Sequence, residues 1–265
     1  MRLIRTAALT AVATLSLLAS GCGSTDNPKP ASSGDASTAA AKGPKVVAST
    51  SWVGALAKAA GATDITVIAP PNVQHPPDYD PKPSDLAAVA SADYILYAEF
   101  DGFAAKLKDA AGGSGKLVPV ELENTPPKIT SEVQRLAGMF GTTSAADTWI
   151  STFNAEYTTL SEQVKAALPN PAPTAVSHLF MAYWGDFAGI RVVGTYGPQP
   201  VTPRQLAELT TKKPTLVLAN AHLSGANPDI PGATRVDIIN YPGADLDLLA
   251  VFKTNAERLT AALKP

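Results

Sequence analysis

Four short apolar runs alternate with stretches of helical pattern between residues 45 and 120, and this alternation limits the folds open to the chain. The runs are Lys45–Ser49, Asp64–Ala69, Asp93–Tyr97 and Lys116–Val120, and the intervening helices are expected at Trp52–Gly61, Pro83–Ala92 and about Phe103–Ala111. Parallel strands cannot be joined by a tight turn and need a crossover, so this order predicts right-handed βαβ units around a parallel sheet. The alternation then stops. Ile129–Phe140 and Ser144–Leu168 both read as helix, with Trp149, Phe153, Leu160, Val164 and Leu168 close to one stripe, and Pro169-Asn170-Pro171-Ala172-Pro173 ends the second. Strands resume at Thr174–Ser177, Ile190–Val193, Thr215–Ala219 and Thr234–Ile239, with helices at about Pro203–Lys212 and Leu246–Leu263. The expectation is an α/β protein of two Rossmann-like lobes with parallel sheets, residues 45–128 and 169–265. A long, rigid helical segment, 129–168, joins them.

The N-terminal region has a different character. Arg2 and Arg5 precede an apolar run, Ala7 to Leu18, that is too short to span a membrane well. Leu18-Ala19-Ser20-Gly21-Cys22 resembles a bacterial lipoprotein signal, so residues 1–21 are expected to be a signal peptide and Cys22 the lipidated residue. Residues 22–44, rich in Ser, Ala, Gly, Thr and Pro, read as a flexible tether with a reach of roughly 25 Å. The expected location is the extracytoplasmic side of the cell membrane, held through an N-terminal lipid, as a monomer. Cys22 is the one cysteine of 265 residues, so no intrachain disulfide can form. A formal net charge of −2 and the lack of a basic run speak against nucleic acid as a partner.

Open parallel sheets bind ligands beyond the carboxyl ends of their strands. All three histidines fall there: His75 past the strand ending at Ala69, His178 directly after Ser177, and His222 past Ala219. His75 sits on a loop stiffened by prolines, Pro70-Pro71-Asn72-Val73-Gln74-His75-Pro76-Pro77-Asp78-Tyr79-Asp80-Pro81, which suits a preformed site. Three imidazoles suit zinc and leave a fourth position open. Asn240, Glu99, Asp78 and Glu121 occupy comparable places, as a fourth ligand or as acceptors that orient a ligating imidazole. Phe180, Tyr183 and Trp184 fit a cleft wall, but read more readily as core of the second lobe. No GxSxG, HExxH, Walker or GxGxxG motif is present, so no catalytic residue is assigned and the chain is not read as an enzyme.

From Val46 to Leu263 the chain resembles the zinc/manganese substrate-binding lipoproteins of bacterial ABC transporters. His75 followed by Asp78-Tyr79-Asp80-Pro81-Lys82-Pro83-Ser84-Asp85-Leu86 is similar to that family's first ligand histidine and its D/E-Y-E-P-x-x-S-D-L segment, with Pro76-Pro77 inserted. Ser177-His178-Leu179-Phe180-Met181-Ala182-Tyr183-Trp184 resembles the third-ligand motif. Gly189-Ile190-Arg191-Val192-Val193-Gly194 and Leu206-Ala207-Glu208-Leu209 continue the match.

Two departures stand out. The family's second ligand histidine has no counterpart within Glu121–Ile129, and its final ligand aspartate corresponds to Asn240. His222 is therefore expected to replace a missing ligand, giving a site of His75, His178 and His222. Histidines without a certain carboxylate favour Zn²⁺ over Mn²⁺. The resemblance implies capture of Zn²⁺ between the lobes and delivery to an ABC transporter permease, with affinity falling below about pH 6.5 as imidazoles protonate. The alternatives are Mn²⁺ or an organic small ligand on the same scaffold, or a surface lipoprotein with an adhesive or structural role.

Overall fold

The computed structural model describes residues 43–112, 116–223, 225 and 227–264. The signal peptide, Cys22 and nearly all of the tether lie outside them. The first lobe runs β1 (Lys45–Ala48), α1 (Ser51–Ala59), β2 (Asp64–Val67), α2 (Pro83–Leu86), β3 (Tyr94–Tyr97), α3 (Ala104–Ala110) and β4 (Leu117–Pro119). Then come α4 (Pro126–Phe140) and α5 (Thr143–Ala166). The second lobe follows as β5 (Thr174–His178), α6 (Tyr183–Ala188), β6 (Arg191–Tyr196), α7 (Pro203–Thr211), β7 (Leu216–Asn220), β8 (Thr234–Ile238) and α8 (Leu248–Ala262).

Each lobe is a four-stranded parallel sheet, in the orders β2-β1-β3-β4 and β6-β5-β7-β8. The two orders are the same topology used twice, and the expected two-lobe α/β architecture is what the chain adopts. The side of the sheet to which the chain adds its next strand switches between β1 and β3 and between β5 and β7, which opens a crevice at those carboxyl ends.

Alternate strand residues serve different cores, as a period of two requires. Val46 and Ala48 of β1 and Leu216 and Leu218 of β7 face one large cluster, which also holds Leu56, Leu136, Phe153, Trp184 and Phe252. Val47 and Ile95 pack outward on Phe103 and Leu107. Val217 and Ala219 pack outward on Leu209 and Ile230. Both faces of each sheet are thus apolar, which explains why the strands read as unbroken apolar runs rather than as alternating ones. The large cluster contains residues of both lobes, so the lobes are fused along one core.

Helix α1 sits at this seam. Every residue of it but Lys58 is buried, and its small Ala and Gly side chains permit close approach. A Cβ on Gly54 would come within about 3.3 Å of both Val67 and Leu246. Lys58 reaches across to donate to the Asp245 carbonyl at 2.6 Å.

Local features follow the expectation in the connecting segment and differ from it in two places. The helix expected over Pro83–Ala92 is broken into α2 and a 3₁₀ turn at Val89–Ser91. The connecting segment is two helices, matching the two helical stretches read from the sequence, and Gly141 takes a left-handed conformation (φ 73°) that caps α4. Helix α6 lies where only an aromatic-rich segment was read. Its six residues are too few to show a helical period.

Candidate functional site

A cavity of about 830 Å³ opens between the sheets, and residues following all eight strands line it. Trp52, His75, Phe100 and Leu122 come from the first lobe, and Phe180, Pro198, His222 and Asn240 from the second. Two of the three histidines meet here. Their loops touch: the Gln74 carbonyl lies 3.1 Å from His222 Nδ1, and Gln74 Nε2 donates to the Ala221 carbonyl at 3.3 Å.

The His75 loop is held by its own chemistry. His75 precedes a 3₁₀ turn over Pro76–Asp78 whose prolines fix the backbone. The Gly102 N–H donates to the Pro77 carbonyl at 2.9 Å and pins the turn to the loop after β3. Asp78 Oδ2 lies 2.7 Å from His75 Nδ1. Nδ1 makes no well-aligned hydrogen bond among the described residues, so the carboxylate acts by proximity. It favours the proton on Nδ1 and leaves the Nε2 lone pair free.

His222 is differently placed. Against the Gln74 carbonyl, Nδ1 must carry the proton, while Nε2 accepts the Asn240 backbone N–H at 3.1 Å. Both ring nitrogens are engaged. Burial pushes its pKa down to about 4; the Gln74 carbonyl opposes the shift, and repulsion of a charged ring by its neighbours His75 and Arg258 adds to it. A neutral His222 therefore persists well below the pH 6.5 expected for imidazole ligands.

His178 is the last residue of β5, has no exposed surface and is not part of the cavity lining. Nδ1 accepts the Phe180 N–H at 3.2 Å, so the neutral ring carries its proton on Nε2. That Nε2 has no partner among the described residues and faces Gly197. Only glycine fits there: its φ is +88°, and a Cβ would stand 2.5 Å from Nε2. Burial lowers the pKa of His178 as well.

Asn240 borders the cavity, but its side-chain oxygen is already bonded. Asn124 Nδ2 donates to it at 3.1 Å and the Tyr183 hydroxyl at 2.9 Å. The three side chains form a polar latch between the loop before α4, the loop after β8 and α6. Burial raises the Tyr183 pKa and keeps its hydroxyl a donor. Glu99 accepts from the Tyr97 hydroxyl and pairs with Lys108, which holds its carboxyl below the usual range. Glu121 lies 3.8 Å from Lys128. Neither glutamate lines the cavity.

Among the described residues, no group of three or more His, Cys, Asp or Glu is disposed to hold a metal ion. The walls are instead aromatic and aliphatic. Trp52, Tyr183, Tyr241, Leu122 and Leu223 line the interior, while Phe100, Leu179 and Phe180 stand at the mouth with about half their surface exposed. Trp184 is core, as read from the sequence, but Phe180 and Tyr183 belong to the cleft. Phe100, Asn124 and Tyr241 were not legible as site residues. The signal that would have found them is position alone, each lying just beyond the carboxyl end of a strand.

With this geometry in place, comparison with known proteins is informative. Residues 46–138 match the family model described as ZnuA, zinc-uptake complex component A, periplasmic. Over that stretch the chain carries the pattern of a zinc-uptake solute-binding family. The resemblance read from the His75 segment is borne out there.

Solved structures share the fold along most of the chain. The laminin-binding protein Lmb of Streptococcus agalactiae, described as a bifunctional protein with adhesin and metal-transporting activity, matches with a TM-score of 0.62 and 19% identity, over 84% of this chain and 100% of that one. A Zn(II)-bound mutant variant of AdcAII from Streptococcus pneumoniae gives 0.60 and 19%, over 84% and 100%. A crystal structure of ZnuA gives 0.58 and 18%, over 83% and 99%. No curated protein sequence matches the chain.

Proposed function

We propose that this protein captures Zn²⁺ in the cleft between its lobes and passes it to an ABC permease from the extracytoplasmic side. The observation that carries the reading is His75. Its Asp78-backed imidazole stands in the cavity on a loop pinned by Gly102, within the stretch that matches the zinc-uptake family. A carboxylate behind a ligating imidazole fixes its tautomer and raises its basicity. His222 and His178 join the coordination sphere by exchanging partners, His222 releasing the Asn240 N–H and His178 the Phe180 N–H. Nitrogen donors favour zinc over manganese. Anchoring through a lipid on Cys22 would keep the captured ion near the permease, and among the described residues no helix is long and apolar enough to cross a membrane.

The test is competitive titration of the purified protein with Zn²⁺ and Mn²⁺, alongside His75→Ala, His178→Ala and His222→Ala. One zinc site that outcompetes manganese and weakens at least tenfold in His75→Ala is the expected result. Zinc binding that is indifferent to His75 contradicts the assignment.

The cavity itself favours a second reading. Its volume lies within the ~300–1,000 Å³ typical of small-molecule sites, and its walls are largely apolar. An organic ligand on the same scaffold would need few polar contacts for orientation.

A further inference from the structure

Two properties of the cleft fit poorly with a bare ion. First, the donors in place are too few. His75 presents one free lone pair, while both nitrogens of His222 are bonded and the Nε2 of His178 carries a proton against Gly197. Asp78 and Glu123 also line the cavity, but among the described residues no three ligating side chains gather about one point. A tetrahedral zinc site needs about four donors at roughly 2.0–2.3 Å. Breaking the Asn240 and Phe180 hydrogen bonds to find them would cost two hydrogen bonds, and would leave the N–H of the buried Asn240 unpaired.

Second, the space is too large and too apolar. A four-coordinate ion with donors at that distance fills a small part of about 830 Å³. The remainder is walled by Trp52, Tyr183 and Tyr241, and Phe100, Leu179 and Phe180 expose 56%, 50% and 51% of their surface at the mouth. Exposed apolar groups gathered from both lobes around one opening mark a surface that an apolar body covers.

We propose that the cleft takes its metal as a chelate: Zn²⁺ already held by a small, flat, aromatic or apolar organic ligand, with His75 Nε2 completing the sphere. The inference rests on the metal-capture reading above, keeps His75 as the ligand, and puts the chelator's donors in place of the exchange of partners by His222 and His178. The chelator supplies the donors that the protein lacks and neutralises part of the ion's hydration. Its rings stack on the cleft aromatics, where offset and edge contacts contribute beyond area burial. His75 discriminates the loaded chelate from the empty one, because only the metal gives its lone pair a partner. No histidine has to give up a hydrogen bond.

The test is calorimetric titration of the purified protein with three probes: Zn²⁺ alone, 1,10-phenanthroline alone, and their 1:1 complex. Each is repeated with His75→Ala and with the double variant Phe100→Ala/Phe180→Ala, whose side chains are more than half exposed and lie outside the core. The expected result is that the complex binds at least tenfold tighter than either component, and that each variant loses about tenfold for the complex. Equal binding of Zn²⁺ alone, unaltered in the double variant, overturns the chelate inference and leaves metal capture standing. Binding of the complex that is no tighter than that of phenanthroline alone and is unaltered in His75→Ala overturns both, as does failure of all three probes to bind.

Discussion

His222 shows how one side chain can be read correctly in position and incompletely in role. Its place after β7 brings it to the cleft, but its tautomer is set by two groups distant in sequence, the Gln74 carbonyl and the Asn240 N–H. Burial, outweighing the Gln74 carbonyl, holds its pKa at about 4, below the roughly 6.5 of an unfolded histidine. Between these two values the unfolded chain binds more protons than the folded one. Stability from this group is therefore complete above about pH 6.5 and declines as pH falls toward 4. Discounted for partial exposure, the loss is about 2 kcal/mol. Urea unfolding of the native protein and His222→Gln across pH 4–7.5 should show a stability difference that shrinks as pH falls. A difference that stays constant over that range would contradict it.

At the scale of elements, the second lobe depends on an aromatic cluster that links three helices. Phe252 of α8 lies 5.3 Å from Phe153 and 5.7 Å from Tyr157 of α5, and 5.2 Å from Trp184 of α6, measured between ring centres. Phe153, Trp184 and Phe252 have no exposed surface. The stripe on α5 was visible in its sequence, because Trp149, Phe153, Leu160 and Val164 recur at helical spacing. Its partners were not, because periodicity shows which face is buried without showing what covers it. Phe252→Ala should destabilise the protein by about 3–5 kcal/mol, read as a lowered denaturation midpoint with little change in slope. A loss below about 1 kcal/mol would mean that the cluster collapses to fill the gap.

Across the whole molecule, the two lobes are not free bodies on a hinge. One core includes residues of β1, β3 and β4 together with residues of β5, β7 and β8. Helix α5, 24 residues and about 36 Å long, packs beside α1, α4, α6 and α8. The Asn124–Asn240–Tyr183 latch and the Gln74 contacts close the cleft side of the seam. Opening the lobes widely would expose that core, so ligand binding should be met by side-chain and loop adjustment. Small-angle scattering with and without bound zinc should give radii of gyration within about 1 Å of each other. A larger contraction on binding would show that the shared core parts and re-forms.

The sequence by itself determined the succession of strands along the chain, both parallel sheets and the placement of the histidines beyond strand ends. These follow from local causes: apolar runs, helical spacing, and glycines and prolines that end elements. The pattern around His75 also lay in consecutive residues, so it was readable as a motif. Tertiary structure alone decided which ring nitrogens are free. His178 accepts a backbone N–H from two residues ahead and presses on Gly197, His222 is clasped from both lobes, and Asn240 is bonded by Asn124 and Tyr183. A side chain's capacity to bind depends on the hydrogen bonds that its surroundings have already formed, and those surroundings exist only once distant segments have packed together.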